Sequence, residues 1–193
     1  MTRKKILWMS VVFTLVGTLM SEAGAREWAV SLYGGRVTSE HWDEVITSDN
    51  VQYEDAHLVA VAVDYTLKAY FEEALTLAVE AQIGKYFGDQ DHFEFNLPLL
   101  VGRWHRFPWQ RHVATTLAYG IGPSYATEVP PVEAEIDSDS ARWMVYWFAE
   151  FTIGPPQSFW SLLVRLHHRS EAFGLVAENG GANTLAAGFR FCF

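Results

Sequence analysis

Residues Leu163–Phe173 read LVRLHHRSEAF, an apolar run that ends by setting His168 and Ser170 two residues apart. An imidazole and a hydroxyl at that spacing are a base and a latent nucleophile. On a β-strand, residues i and i+2 share a face about 6.5–7 Å apart. The ring can then lean toward the hydroxyl, take its proton as attack begins and return it to the leaving group. A third group is needed to hold the ring, and Asn183 can do so through a hydrogen bond, although it lacks the negative charge of an Asp or Glu. The chemistry of such a trio is acyl transfer. The bland alternative is that these residues are a polar end on a strand at the level of lipid headgroups.

Whether the three side chains meet depends on the elements that carry them. No helical period runs through the chain, but alternation with a period of two does, and successive strand residues point to opposite faces. In Leu58–Leu67, Val59, Val61, Val63, Tyr65 and Leu67 share one face, and Ala60, Ala62, Asp64 and Thr66 the other. Similar runs occupy Trp28–Leu32, Ala74–Gly84, Asp91–Val101, Val113–Ser124, Arg142–Ile153, Phe159–Ser170 and Ala182–Phe193. Strands of about 10–14 residues suit a tilted crossing of a bilayer. A soluble barrel or sandwich would turn the apolar face inward, whereas a membrane barrel turns it to lipid.

Two features favour the membrane. The connections alternate between long acidic loops (Thr38–His57, Tyr125–Ala141) and shorter turns (Lys68–Glu73, Arg103–His112, Gly154–Ser158), as in outer-membrane barrels with long outer loops and short periplasmic turns. The ending Phe189-Arg190-Phe191-Cys192-Phe193 resembles the assembly signal of bacterial outer-membrane proteins. Trp28, Trp104, Trp109, Trp143, Trp147 and Trp160 near strand ends would supply interfacial girdles. The fold expected is all-β, an eight-stranded antiparallel transmembrane β-barrel.

The first residues and the composition agree with this reading. Arg3, Lys4 and Lys5 precede the apolar stretch Ile6–Met20, and Ala23-Gly24-Ala25 supplies a cleavage site. That is the pattern of a cleaved secretory signal peptide, so residues 1–25 are expected to be the signal and 26–193 one barrel domain. The formal net charge is −9, and the first 25 residues are themselves net basic, so the remainder is more acidic still. An acidic balance argues against nucleic acid as a partner. The single cysteine, Cys192, leaves the exported chain without an internal disulfide. His41, His57, His92, His105 and His112 show no ligand spacing, so neither a metal nor a cofactor is expected.

Counting faces brings the chemistry together. On the seventh run Trp160, Leu162, Val164, Leu166, His168 and Ser170 face lipid, while Arg165, His167 and Arg169 face the lumen. On the eighth, Asn183 continues the apolar face of Leu185, Ala187 and Phe189. All three candidates then lie on one outward patch near the outer rim.

Signal peptide, eight-stranded barrel and H-x-S on strand seven, followed by a Gly/Asn loop, resemble the outer-membrane lipid A deacylases of the PagL type. The motif covers His168–Asn183 (HRSEAFGLVAENGGAN). The resemblance implies a Gram-negative outer-membrane location and hydrolysis of the 3-O-linked acyl chain of lipid A. It implies Ser170 as nucleophile, His168 as general base, and lipid A or lipopolysaccharide in the outer-membrane lipid as partner. The family's acidic triad member aligns with Asn183, or alternatively with Glu178 in the loop. Asn179 corresponds to a loop Asn that could donate to the oxyanion. Glu171 stands where the family has an Asn, and a carboxylate there would oppose an oxyanion unless turned away or protonated. The alternative function is a non-catalytic barrel, structural or for small-molecule passage.

Overall fold

The computed structural model describes residues 27–40, 42–47, 49–136, 140–170 and 181–193. The alternating runs become β1 (Trp28–Thr38), β2 (Tyr53–Tyr70), β3 (Leu75–Gly88), β4 (Phe93–Asn96), β5 (Leu100–Trp104), β6 (Ala114–Ala126), β7 (Trp143–Gly154), β8 (Trp160–Ser170) and β9 (Gly181–Cys192). β4 and β5 are two halves of one barrel strand, because both pair with β3 on one side and β6 on the other. Every pairing is antiparallel, and β1 pairs with both β2 and β9, which closes the ring. The barrel is therefore eight-stranded, as the alternation implies.

The break between β4 and β5 was not expected from the clean alternation of Asp91–Val101. It centres on Pro98, which has no N–H to give to a ladder. The ring stays bridged there: Leu97 and Leu99 donate to the Pro123 and Ile121 carbonyls at 3.0 Å, and the Pro98 carbonyl accepts from Glu80 at 2.9 Å. Two six-residue helices, α1 (Trp42–Thr47) and α2 (Pro131–Ile136), lie in the two long acidic connections. No helical period signalled them, since six residues make less than two turns.

Burial follows the predicted faces along most of the wall, but Leu166 and Asn183, expected on the lipid-facing side, are buried. Leu32, Val59, Val61, Ile83, Phe95, Leu117, Phe151, Leu162, Val164 and Phe189 point outward and are exposed, a continuous apolar surface that only lipid would cover. No helix among the described residues is long and apolar enough to cross a membrane. Trp28, Trp104 and Trp109 are exposed toward the end that carries the chain terminus and short turns, and Trp143 toward the other. They occupy the two girdle positions.

The lumen is filled with charge in pairs. Arg165 of β8 is fully buried and binds Glu80 of β3 at 2.7 and 2.9 Å and Glu150 of β7 at 2.7 and 2.9 Å. Its guanidinium carbon also lies 3.8 Å from the centre of the Phe148 ring. Arg103 reaches the second oxygen of Glu150 at 2.6 Å, and Arg190 binds Asp64 at 2.6 Å. Toward the loop-bearing end, His167 meets Glu94 at 2.8 Å and Arg169 meets Glu133 of α2 at 2.7 Å. Buried charges persist only when paired and hydrogen-bonded, and here each buried arginine has its carboxylate. Below this plug, at the end holding the short turns, remains a cavity of about 390 Å³ lined by Asp64, Thr76, Arg103, His105 and Arg190 among others.

Candidate active site

β7, β8 and β9 form two consecutive hairpins, and their registers decide which outward side chains meet. Trp147 of β7 stands opposite His168 of β8, and His168 stands opposite Asn183 of β9. Ser170, the last residue of β8, stands opposite Gly181. The row Trp147–His168–Asn183 thus runs across three strands on the lipid-facing side, with Ser170 two residues beyond toward the rim.

The imidazole of His168 donates from Nδ1 to Oδ1 of Asn183 at 2.7 Å. The direction follows from the rest of the network. Asn183 Nδ2 donates to the backbone carbonyl of Glu40 at 2.9 Å. A carbonyl oxygen can only accept, so the amide must turn its NH₂ to Glu40 and its oxygen to His168. An amide oxygen in turn can only accept, so Nδ1 of His168 carries the proton. In the neutral ring Nε2 is then left unprotonated, the state a general base needs. The backbone of the first outer loop thereby sets the tautomer of a ring on β8 through one side chain on β9.

On its other flank the imidazole lies against Trp147, with ring centres 4.6 Å apart and planes at 37°. Trp147 is backed by Tyr119 of β6 at 5.8 Å and touched edge-on by Trp42 of α1 at 6.1 Å. His168 is therefore gripped between a hydrogen bond and an aromatic face, and the β1–β2 connection contributes to both sides through Glu40 and Trp42.

Gly181 gives the rim end of the site its shape. Its φ is +146°, a region that side-chain-bearing residues rarely adopt. A Cβ there would lie 2.3 Å from the Arg169 carbonyl and 3.5 Å from Cε1 of His168. Glycine is therefore required where β9 begins beside the ring edge of His168.

The structure brings His168 and Asn183 into contact and puts Ser170 on the same outward face. His167, the neighbour in sequence, points into the lumen toward Glu94 and takes no part. Glu171, Glu178 and Asn179, together with the leading segment 1–25, lie outside the described residues. The sequence marks Trp147 only as a girdle residue and Glu40 only as part of an acidic loop. The first was findable: a turn centred between Ile153 and Leu162 sets Trp147 against His168. The second was not, because a backbone carbonyl carries no side-chain signature. No group of His, Cys, Asp or Glu among the described residues is arranged to hold a metal ion.

No protein-family model matches the chain, and no curated protein is similar to it in sequence. Solved structures are similar in fold. The outer membrane enzyme PagL superposes with a TM-score of 0.60 at 13% identity, over 84% of this chain and 98% of that one. Neisserial surface protein A (NspA) superposes with a TM-score of 0.51 at 11% identity, over 89% of this chain and 100% of that one. One of these is described as an enzyme and the other as a surface protein, so the shared architecture leaves the chemistry to the individual residues. By its ring of strands and its apolar outer face, the chain is an eight-stranded outer-membrane β-barrel.

Proposed function

We propose that this barrel is an esterase of the outer leaflet that removes the 3-O-linked acyl chain of lipid A, with Ser170 as nucleophile, His168 as base and Asn183 as the residue that orients it. The observation that carries the reading is the 2.7 Å bond from His168 Nδ1 to Asn183, made on the lipid-facing side of the barrel. Polar side chains are costly on that face, and this pair is held in one orientation from both flanks. The residues from His168 to Asn183 resemble the lipid A deacylase motif, and the fold is similar to that of the outer membrane enzyme PagL.

In this reading the Ser170 hydroxyl attacks the acyl carbonyl carbon while Nε2 of His168 takes its proton. The tetrahedral intermediate collapses, the sugar oxygen leaves with the proton from His168, and the acyl chain stays esterified to Ser170. Water, deprotonated by the same Nε2, then attacks the acyl-enzyme, and the fatty acid leaves as the proton returns to Ser170. Asn183 holds the tautomer but offers no charge to the imidazolium that forms at each step. Asn179 is assigned to the oxyanion, residues 1–25 to a removed export signal, and lipid A or its lipopolysaccharide to the role of partner. No metal or cofactor is required.

Small-molecule passage is disfavoured by the buried Arg165–Glu80–Glu150 cluster across the lumen. Mass spectrometry of lipid A from cells expressing the parent or Ser170→Ala tests the proposal. Loss of one hydroxyacyl chain with the parent alone supports it. Unchanged lipid A in both, with both barrels folded, removes it.

A further inference from the structure

The outward face near the outer rim is not uniform. On β4, β6 and β7 it carries Phe93, Phe95, Tyr125, Trp143 and Val145, none of them charged. On β1, β2 and β3 it carries Arg36, His57 and Lys85. Lys85 already has an ion pair with Asp91 and lies 4.7 Å from the centre of the Phe93 ring. His57 stands 3.8 Å from Asp55 and stacks on Phe87. Arg36 differs: it is exposed, donates only to the Glu54 backbone carbonyl at 3.0 Å, and lies 5.5 Å from the Tyr53 ring centre. Among the described residues no carboxylate pairs with it.

Its position relative to the candidate site is fixed by register. Arg36 stands opposite Leu185, and Thr38 stands opposite Asn183. Arg36 and Asn183 are therefore diagonal neighbours on one face, about 7–8 Å apart along the backbone, well within reach of an arginine side chain. Apart from its one bond to the Glu54 carbonyl, the N–H fork of the guanidinium can take a phosphate or a carboxylate through paired hydrogen bonds.

The charge around it selects the direction of approach. The β1–β2 connection above carries Glu40, Asp43, Glu44 and Asp49, and the first residues of β2 add Glu54 and Asp55. A small anion arriving from water would cross that field, whereas a phosphate tethered to acyl chains arrives along the apolar wall beneath it.

We infer that Arg36 forms a headgroup subsite for a phosphate-bearing outer-leaflet lipid, seated beside Asn183 so that the acyl esters of the same molecule lie toward His168 and Ser170. Its effect on turnover rests on the esterase reading, but the binding does not. The test uses full-length mature barrel carrying Ser170→Ala, so that no ligand is consumed. Native mass spectrometry from detergent micelles compares adducts of bisphosphorylated lipid A, enzymatically dephosphorylated lipid A and inorganic phosphate. The expected result is at least a tenfold preference for the phosphorylated lipid and no inorganic phosphate adduct. Arg36→Ala reduces that preference about tenfold, Arg36→Lys reduces it less, and Lys85→Ala changes it by less than twofold. No phosphate preference in the Ser170→Ala barrel, an unchanged preference in Arg36→Ala, or equal losses in the Arg36 and Lys85 variants overturns the inference. A parent that leaves lipid A intact while keeping this preference removes the esterase reading alone.

Discussion

The Nδ1–H of His168 points at Oδ1 of Asn183 across the last hairpin, 2.7 Å away, and the far side of the same amide is tied to the Glu40 carbonyl. An amide that could rotate freely would present oxygen or nitrogen to the ring with little preference. Tied as it is, it presents only oxygen, and the ring is held with its proton on Nδ1.

Asn183→Ala removes that tie. The ring then samples both tautomers and loses one of its two flanking contacts. If the barrel is the proposed esterase, the expected outcome is a fall in kcat of ten- to a hundredfold with KM changed little, the signature of an interaction that serves the transition state rather than binding. The ¹⁵N shifts of the His168 ring should move at the same time from a pure Nδ1–H pattern to a mixture. Steady-state kinetics on purified lipid A and NMR of selectively labelled barrel check the two halves separately.

Gly181→Ala should damage the rim end of β8 and β9. The new Cβ would meet the Arg169 carbonyl at 2.3 Å from a backbone at φ +146°. Strain of this kind costs about 1–3 kcal/mol. The readout is the urea midpoint of refolding into lipid vesicles, together with loss of hydrolysis larger than the stability change alone explains. A midpoint equal to the parent's would show that the turn relaxes without cost.

Arg165→Ala leaves Glu80 and Glu150 buried with their main partner gone. Breaking a buried pair by removing one member costs about 3–5 kcal/mol. Equilibrium unfolding in vesicles should register that loss. Replacing Arg165, Glu80 and Glu150 together by apolar residues of similar volume should recover most of it.

His92 is expected to make the barrel less stable in acid. His92, in the β3–β4 connection, is 2% exposed, stacks on Tyr86 at 4.6 Å, and has no hydrogen-bond partner for either ring nitrogen among the described residues. Burial, with the cationic Arg169 and Lys85 nearby, pushes its pKa down to about 4 against the opposing pull of Glu94. The unfolded chain binds a proton near pH 6.5 and the folded barrel only near 4. Stability from this group is therefore full above about pH 6.5 and lost as pH falls toward 4. His92→Phe keeps the stack and removes the titration. The variant should match or exceed the parent at pH 7 and flatten the drop between pH 6.5 and 4, measured as urea midpoints across that range.

Much of this molecule is legible in its sequence because a two-residue period leaves a record at every position. The alternation of Val59, Val61 and Val63 with Ala60 and Ala62 assigns both faces of β2, and the same count separates outward His168 from inward His167. It puts Asn183 on the same face as His168, fifteen positions earlier in the chain. What alternation does not encode is the partner across a hairpin or across the lumen. Trp147 against His168, and Arg165 against Glu80, are set by register and ring closure. The helices α1 and α2 escaped for another reason, since six residues cannot express a 3.6-residue period. Pro98 interrupts its strand without altering which faces Leu97 and Leu99 present.

The plug of the lumen also bears on how the barrel comes together. Glu80 and Arg165 are 85 positions apart in sequence and on opposite sides of the ring. No single hairpin can satisfy them, so a half-assembled sheet would carry naked charges in a nonpolar medium. A strand inserted two residues out of register would keep its apolar face toward lipid and pass every test that alternation imposes. It would still fail to bring the Arg165 guanidinium to both carboxylates. The buried ions therefore act as a proofreading lock: greasy faces admit the strands to the membrane, and charge matching at the centre rejects the closures that alternation alone would accept.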